Sequence, residues 1–284
     1  MSTKKTAIKR SKHTIEAMEG SASQEIWASA IPDILVQIFS KLDLDSLLAA
    51  ASVCHSWRRV DHFPECWDFI HLSHWEQFLG NRIKETHIPD YRRLRRESDL
   101  IIRHAGDKAK LLFAPPGADD ATVQMIVDRC PSIESLSLRD SYKISPASLL
   151  HLICTCKHLR LVDLRRCWLP SASMIEEMGE SCKNLVGLNL GGWRLTQEMA
   201  TAVGKSMPKL KWLSINDATV SSDALCSILD SCTELQYLSV VRSHQLNMND
   251  AVRSRASRIS QFNYSQFPRS AACRLILPVP VRRR

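Results

Sequence analysis

Five segments in the second half of the chain share the pattern apolar-x-x-apolar-x-apolar. They are Ile133-Glu-Ser-Leu136-Ser-Leu138, Leu159-Arg-Leu-Val162-Asp-Leu164, Leu185-Val-Gly-Leu188-Asn-Leu190, Leu210-Lys-Trp-Leu213-Ser-Ile215 and Leu235-Gln-Tyr-Leu238-Ser-Val240. Their first residues, 133, 159, 185, 210 and 235, lie 26, 26, 25 and 25 residues apart. A weaker copy, Lys110-Leu111-Leu112-Phe113, stands before them. A unit this short cannot bury its own apolar face, so the copies must stack into one continuous core, for which about three repeats are the minimum. The alternating end of each segment suits a short strand, and the stretches between, such as Thr122–Arg129 and Ser173–Met178, carry helical spacing. The expectation is an α/β array over residues 108–250.

A second dense region lies near the N-terminus, from Ile31 to Val60. Ile34, Leu35, Ile38, Phe39 and Leu42 recur at helical spacing after Pro32, a residue suited to a first helical turn. Asp43 and Asp45 are caps for a second helix with Leu47, Leu48 and Ala51, and Val53, Trp57 and Val60 form the apolar side of a third. Three short helices hold more apolar surface than they can hide among themselves, which points to an interface.

This stretch resembles an F-box, the module that docks substrate receptors onto the Skp-family adaptor of cullin-based SCF ubiquitin ligases. Ile31-Pro32-Asp33 stands where the family has Leu-Pro and an acid, and Leu44, the Leu47-Leu48 pair, Val53, Trp57 and Arg58 follow in order. The departures are Ile31 for Leu and Asp33 for Glu. The resemblance implies adaptor docking through Ile31, Pro32, Ile34, Leu35, Ile38, Phe39, Leu42, Leu44, Leu47, Leu48 and Trp57. The later segments resemble leucine-rich repeats, one strand plus one helix per unit. Together the two parts resemble plant-type F-box proteins with short leucine-rich arrays, non-catalytic subunits that hold a protein target for ubiquitination. The implied fold is a three-helix F-box followed by a short leucine-rich-repeat solenoid. Its divisions are a basic disordered leader (1–24), the F-box (25–66), a connecting aromatic and helical segment (67–107), the repeats (108–250) and a basic flexible tail (251–284).

Aligning the repeats turns single residues into columns. Cys130, Cys156, Cys182, Met207 and Cys232 share one position, where the helix hands over to the next strand. Methionine cannot replace a thiolate ligand of zinc but can replace a small apolar filler, so the column reads as core and no metal or other cofactor is expected. Cys54 and His62, eight residues apart, would stand about 12 Å apart along one helix, too far for one zinc. The repeats resemble the cysteine-containing subclass, which wants Cys or Asn three residues after the last strand apolar. Here Ser141, Cys167, Trp193, Ala218 and Ser243 fill that place, so irregular loops are expected on that edge.

Strand residues alternate sides. If Leu136, Leu138 and their equivalents face the core, an open sheet face carries Arg139, Leu161, Asp163, Arg165, Asn189, Trp212, Asn216 and Tyr237. Leu161, Trp212 and Tyr237 fall in one column, and rings beside arginines have the composition of a binding hot spot. Trp168 and Trp193 extend it. The other reading is that loops or the tail cover these rings.

The net charge of +8 belongs to the chain ends. Residues 1–20 carry five basic and two acidic side chains and residues 251–284 carry eight arginines and no acid, so residues 21–250 balance at −3. Basic ends admit an alternative, a nucleic-acid-associated scaffold that binds phosphate through its termini. No stretch is long and apolar enough to span a bilayer and no signal-peptide pattern opens the chain, so a cytoplasmic or nuclear setting with reduced thiols is expected. Gly-rich phosphate loops, His-Glu-x-x-His and Gly-x-Ser-x-Gly are absent, and no catalytic residue is expected. The expected partners are the adaptor, through it a cullin, and an unknown protein target.

Overall fold

The structure is a computed structural model that describes residues 32–60, 63–72, 91–115, 117–167 and 171–265. Ile31, the basic leader, Trp168 and the last arginines lie outside these residues. The chain divides into two units, the first ending at Trp67 and the second beginning at Asp68.

The first unit is helical: α1 (Pro32–Phe39), α2 (Leu44–Ala51), α3 (His55–Val60) and α4 (Pro64–Trp67). Asp43 caps α2, its carboxylate accepting the Ser46 N–H at 2.9 Å. Hydrogen bonding to Ser46 holds the Asp43 carboxyl below its ordinary range. Its core is Leu35 and Phe39 of α1, Leu47 and Ala50 of α2, and Cys66 and Trp67 of α4. The Trp57 ring meets Phe39 edge-on with centroids 5.3 Å apart, and Arg58 Nε donates to Ala51 O at 3.4 Å, tying α3 to the end of α2. Val53, expected on the third helix, lies in the turn before it and is exposed.

The second unit is the array. Its elements are β1 (Phe69–His71), α5 (Tyr91–Ala105), a 3-10 turn at Gly106–Lys108, β2 (Leu111–Phe113), α6 (Asp120–Arg129), β3 (Ser135–Ser137), α7 (Pro146–Thr155), β4 (Leu161–Asp163) and α8 (Ala172–Ser181). It continues with β5 (Gly187–Asn189), β6 (Arg194–Leu195), α9 (Gln197–Ser206), β7 (Trp212–Ser214), β8 (Thr219–Val220), α10 (Ser222–Ser231), β9 (Tyr237–Val241), α11 (Asp250–Ala256) and β10 (Gln261–Ser265). Among the described residues eight strands form one sheet in the order β1-β2-β3-β4-β5-β7-β9-β10, every neighbouring pair parallel. The short β6 and β8 pair separately.

The array is longer than the repeat motif. β1 extends it before residue 108 and the 3-10 turn leads into β2, while α11 and β10 extend it past residue 250. The tail assignment for 251–284 therefore fails for residues 251–265, and with it the availability of three arginines. Arg255 pairs with Asp230 at 2.7 Å, Arg253 donates to Met248 O at 2.9 Å, and Arg258 donates to the carbonyls of Leu229 and Cys232 at the end of α10.

Three columns explain why the units repeat. The first caps the helices. Asp119, Ser145, Ser171, Thr196, Ser221 and Asn249 each accept the N–H three residues on, satisfying a donor that a helix start leaves open. The second fills the core, where Cys130, Cys156, Cys182, Met207 and Cys232 are buried at the helix C-termini. Burial pushes the Cys130 thiol up to about 12 and those of Cys156, Cys182 and Cys232 to about 11.

The third column turns the chain after each strand. Asp140, Arg166, Gly192, Asp217 and Arg242 all have positive φ, between 52° and 92°. For a residue other than glycine this costs on the order of 1 kcal/mol. Each N–H is held by the next unit: Asp140 donates to Arg165 O, Arg166 to Gly191 O, Gly192 to Asn216 O, Asp217 to Val241 O and Arg242 to Ser265 O. The loops expected to be irregular therefore share this positive-φ turn and its hydrogen bond to the next unit. In the following position Cys167 Sγ donates to Leu138 O at 2.8 Å and Ser243 Oγ to Ile215 O at 2.9 Å. At Ser243 serine thus does the work of the missing Cys or Asn, reaching back to the unit before, whereas Ser141 Oγ donates to Arg139 O within its own loop.

Candidate functional site

Helix α1 carries two adjacent apolar stripes. Positions 35 and 39 form one and positions 34 and 38 the other, each a pair four residues apart on one face. Leu35 and Phe39 are buried, whereas Ile34 is 50% and Ile38 42% exposed. Leu48 on α2, at 37%, and Val53 in the turn, at 64%, are also exposed. Of the residues assigned to adaptor docking, Leu35, Phe39 and Leu47 face inward. Leu42, Leu44 and Trp57 are half-buried and Pro32 is exposed. Val53, which the docking set does not include, adds exposed apolar surface to the same unit.

On the sheet, the register aligns Ser135, Leu161, Gly187, Trp212 and Tyr237 in one row. Trp212 and Tyr237 stack with centroids 5.3 Å apart and planes 13° apart. Gly187 leaves its place to Leu161, whose Cδ2 would lie 2.1 Å from a Cβ built there. Leu161 and Trp212 are buried, so the row is not the open face expected of it. Lateral packing is the reason visible here: strands about 4.8 Å apart bring large side chains down across small neighbours.

The polar row beside it is closed upon itself. The Asp163 carboxylate, wholly buried, accepts Arg165 Nε at 3.0 Å, Arg165 Nη2 at 2.8 Å and Ser137 Oγ at 3.2 Å. Asn189 Oδ1 accepts the Gly191 N–H at 3.1 Å, and Asn216 Oδ1 accepts Ser239 Oγ at 2.8 Å and the Val241 N–H at 2.7 Å. These groups position one another. Arg139 is exposed, and Arg165, Asn216 and Tyr237 are half-buried. Along the exit loops Asp140 pairs with Arg139 at 2.9 Å and with Arg166 at 3.4 Å, and Asp217 pairs with Arg242. Hydrogen bonding to Arg242 holds the Asp217 carboxyl below its ordinary 3.8, with further help from the charges of Arg242, Arg166 and Arg165.

Phe69, expected in a connecting aromatic segment, lies instead on the first strand of the sheet together with His71. Phe69, 47% exposed, lies 6.0 Å from Phe113, and His71 lies 4.5 Å from the same ring. No repeat pattern marks β1, so no signal placed Phe69 and His71 on the sheet.

Two family models match the chain. The one described as F-box-like covers residues 32–73, and the one described as FBD-associated F-box protein At5g56370, LRR repeats, covers residues 156–273. The chain carries an F-box-like region followed by leucine-rich repeats. Relatives of this F-box/leucine-rich-repeat chain include three proteins of Arabidopsis thaliana. F-box protein SKIP1 is 26% identical over 258 residues, 82% of this chain and 84% of the relative. F-box protein FBW2 is 28% identical over 238 residues, 78% of this chain and 69% of the relative. F-box/LRR-repeat protein At3g48880 is 26% identical over 230 residues, 77% of this chain and 72% of the relative. In this F-box/leucine-rich-repeat chain the F-box match takes in the outward stripe of α1, and the repeat match runs past residue 250, in keeping with the ordered α11 and β10. Among the described residues no helix is long and apolar enough to cross a membrane.

Proposed function

We propose that this chain is the substrate-recognition subunit of an SCF-type ubiquitin ligase, its F-box docking a Skp-family adaptor and its array holding a target protein. The observation that carries the reading is the outward stripe: Ile34 and Ile38 stay exposed while Leu35 and Phe39, on the same two turns, fill the core. Leu48 and Val53 add exposed apolar groups from the same unit. An adaptor that covers these groups removes from water an apolar surface left exposed among the described residues.

In this role the chain makes no bond itself. The adaptor and cullin bring a ubiquitin-loaded enzyme to a bound target, raising the effective concentration of the target's lysines to about the mM range. On the array, Arg139, Arg165, Asn216 and Tyr237 are the members of the original set with exposed surface for that target. The proposed setting is the cytoplasm or nucleus, where the thiols stay reduced. The phosphate-binding alternative loses part of its basis, because Arg253, Arg255 and Arg258 are engaged within the array.

Co-purification with a Skp-family adaptor tests the reading. A folded Ile34→Asp, Ile38→Asp variant is expected to lose the adaptor, and retention at the wild-type level would refute the docking face. Arg139→Glu with Tyr237→Ala should leave adaptor binding intact while releasing the target.

A further inference from the structure

The edge at which the strands begin carries a separate feature. An open trough of about 520 Å³ runs along it, lined by Glu134, His158, Arg160, Lys183, Lys209, Lys211 and Glu234, with Asn184, Leu185 and Val186 between them. These residues lie just before β3, β4, β5, β7 and β9, so the sheet order fixes their sequence in space. Glu134 stands at one end and Glu234 at the other, and every lysine and arginine stands between.

The central cations have few partners. Lys211 reaches Glu234 only at 4.0 Å, and Lys183 Nζ donates to Gly179 O at 3.2 Å. The Arg160 guanidinium and the Lys209 ammonium make no ion pair among the described residues, and both side chains are exposed. Four formal positive charges thus face one open trough against two carboxylates, in a unit with its own acidic groups elsewhere. We infer that the trough binds a short acidic segment of a partner protein.

The spacing selects the partner's chemistry. The cations before β4, β5 and β7 span two strand intervals, about 10 Å. An extended peptide rises about 3.3 Å per residue, so that span matches two or three carboxylates within about four residues. A nucleic acid backbone continues its charge beyond this width and would run onto Glu134 and Glu234, which repel phosphate. The two end acids act as stops that fix the length and register of an acidic segment. The inference rests on the trough alone and stands apart from adaptor docking.

The test uses the full chain and a fluorescein-labelled peptide bearing a Glu-Asp-Glu-Glu stretch flanked by glycine and serine, with binding followed by anisotropy. Wild-type chain is expected to bind it, more weakly as salt rises. Arg160→Glu with Lys209→Glu should weaken binding about tenfold or more at an unchanged melting temperature. Lys205→Glu, a charge reversal on α9 outside the trough lining, should leave it unchanged. Binding that survives the double reversal would belong to the basic chain ends and overturn the inference. Two other outcomes would also overturn it: a single-stranded oligonucleotide bound more tightly than the peptide and lost in the same variant, or displacement of the peptide by millimolar inorganic phosphate.

Discussion

Arg165 closes on Asp163 as a fork, Nε to Oδ1 at 3.0 Å and Nη2 to Oδ2 at 2.8 Å, over a carboxylate with no exposed surface. Removing Arg165 leaves the buried Asp163 carboxylate without its counter-charge, and removing Asp163 leaves the half-buried guanidinium unpaired. Asp163→Ala and Arg165→Ala are each expected to lower unfolding free energy by about 3 kcal/mol, and a double-mutant cycle should show coupling above about 1 kcal/mol. Additive losses in chemical denaturation would mean the fork contributes nothing beyond its separate parts.

Two helix glycines set how closely the outer layer packs. A Cβ at Gly179 would stand 2.4 Å from Ser206 Cβ and 2.5 Å from Ser206 O, and one at Gly204 would stand 2.6 Å from Ser231 Cβ. Backbone and Cβ atoms cannot rotate away, so Gly179→Ala should push α8 and α9 apart and cost about 1–3 kcal/mol. At Gly187 the obstacle is the tip of Leu161, which has other rotamers, so Gly187→Ala should cost less. Equal melting temperatures for the two variants would contradict this ranking.

Thiol labelling should follow burial. Cys54, Cys154 and Cys226 are half-buried, whereas Cys130, Cys156, Cys167, Cys182 and Cys232 are buried. Near neutral pH the first three should react with iodoacetamide before the others, as read by peptide mass spectrometry, and denaturant should abolish the difference. Burial also pushes the Cys167 thiol up to about 12. Unfolded thiols ionise near 9.0, so these groups contribute stability that is complete below that pH and lost as pH rises towards 11 and 12. An alkaline unfolding limb beginning near pH 9 is the expected readout.

The acid side has a different source. With its carboxyl held below 3.8, Asp217 contributes stability that is present above that pH and lost as pH falls through the lower folded value. Asp217→Asn should flatten the acid limb of a stability profile below about pH 4 and leave neutral pH dependence unchanged. An acid limb identical to wild type would show that the Asp217–Arg242 pair carries none of it.

Within the F-box the two stripes of α1 should separate cleanly. Phe39→Ala removes a buried ring and should destabilise the unit by about 3–5 kcal/mol, whereas Ile38→Ala should change stability by less than about 0.5 kcal/mol. Comparable losses would show that Ile38 also supports the core.

The helix caps show how much of the array could be read from the chain alone. Asp119, Ser145, Ser171, Thr196 and Ser221 recur at the same 26- and 25-residue period as the leucines, and each caps a helix. That signal was available in the sequence alongside the apolar pattern. The loop slot was harder, since Ser141, Cys167, Trp193, Ala218 and Ser243 look unrelated as letters. Cys167 and Ser243 share a job because each carries a donor of similar reach, a likeness that appears only when the carbonyl behind it is in place.

Local pattern determined the rest of what was legible: five stacked units, helices alternating with strands, a buried cysteine column and a helical module with surplus apolar surface. Each follows from the period of side chains along a helix or strand, which neighbours in sequence already specify. Tertiary structure alone decided that β1 and β10 belong to the sheet, because a strand without the repeat motif is recognised only by the partner it pairs with. It also decided which stripe of α1 is exposed and which sheet residues are closed over. Leu35 and Ile34 are equally apolar, as Leu161 and Tyr237 are equally placed on their strands. What separates them is the neighbour each one meets, and that neighbour comes from elsewhere in the chain.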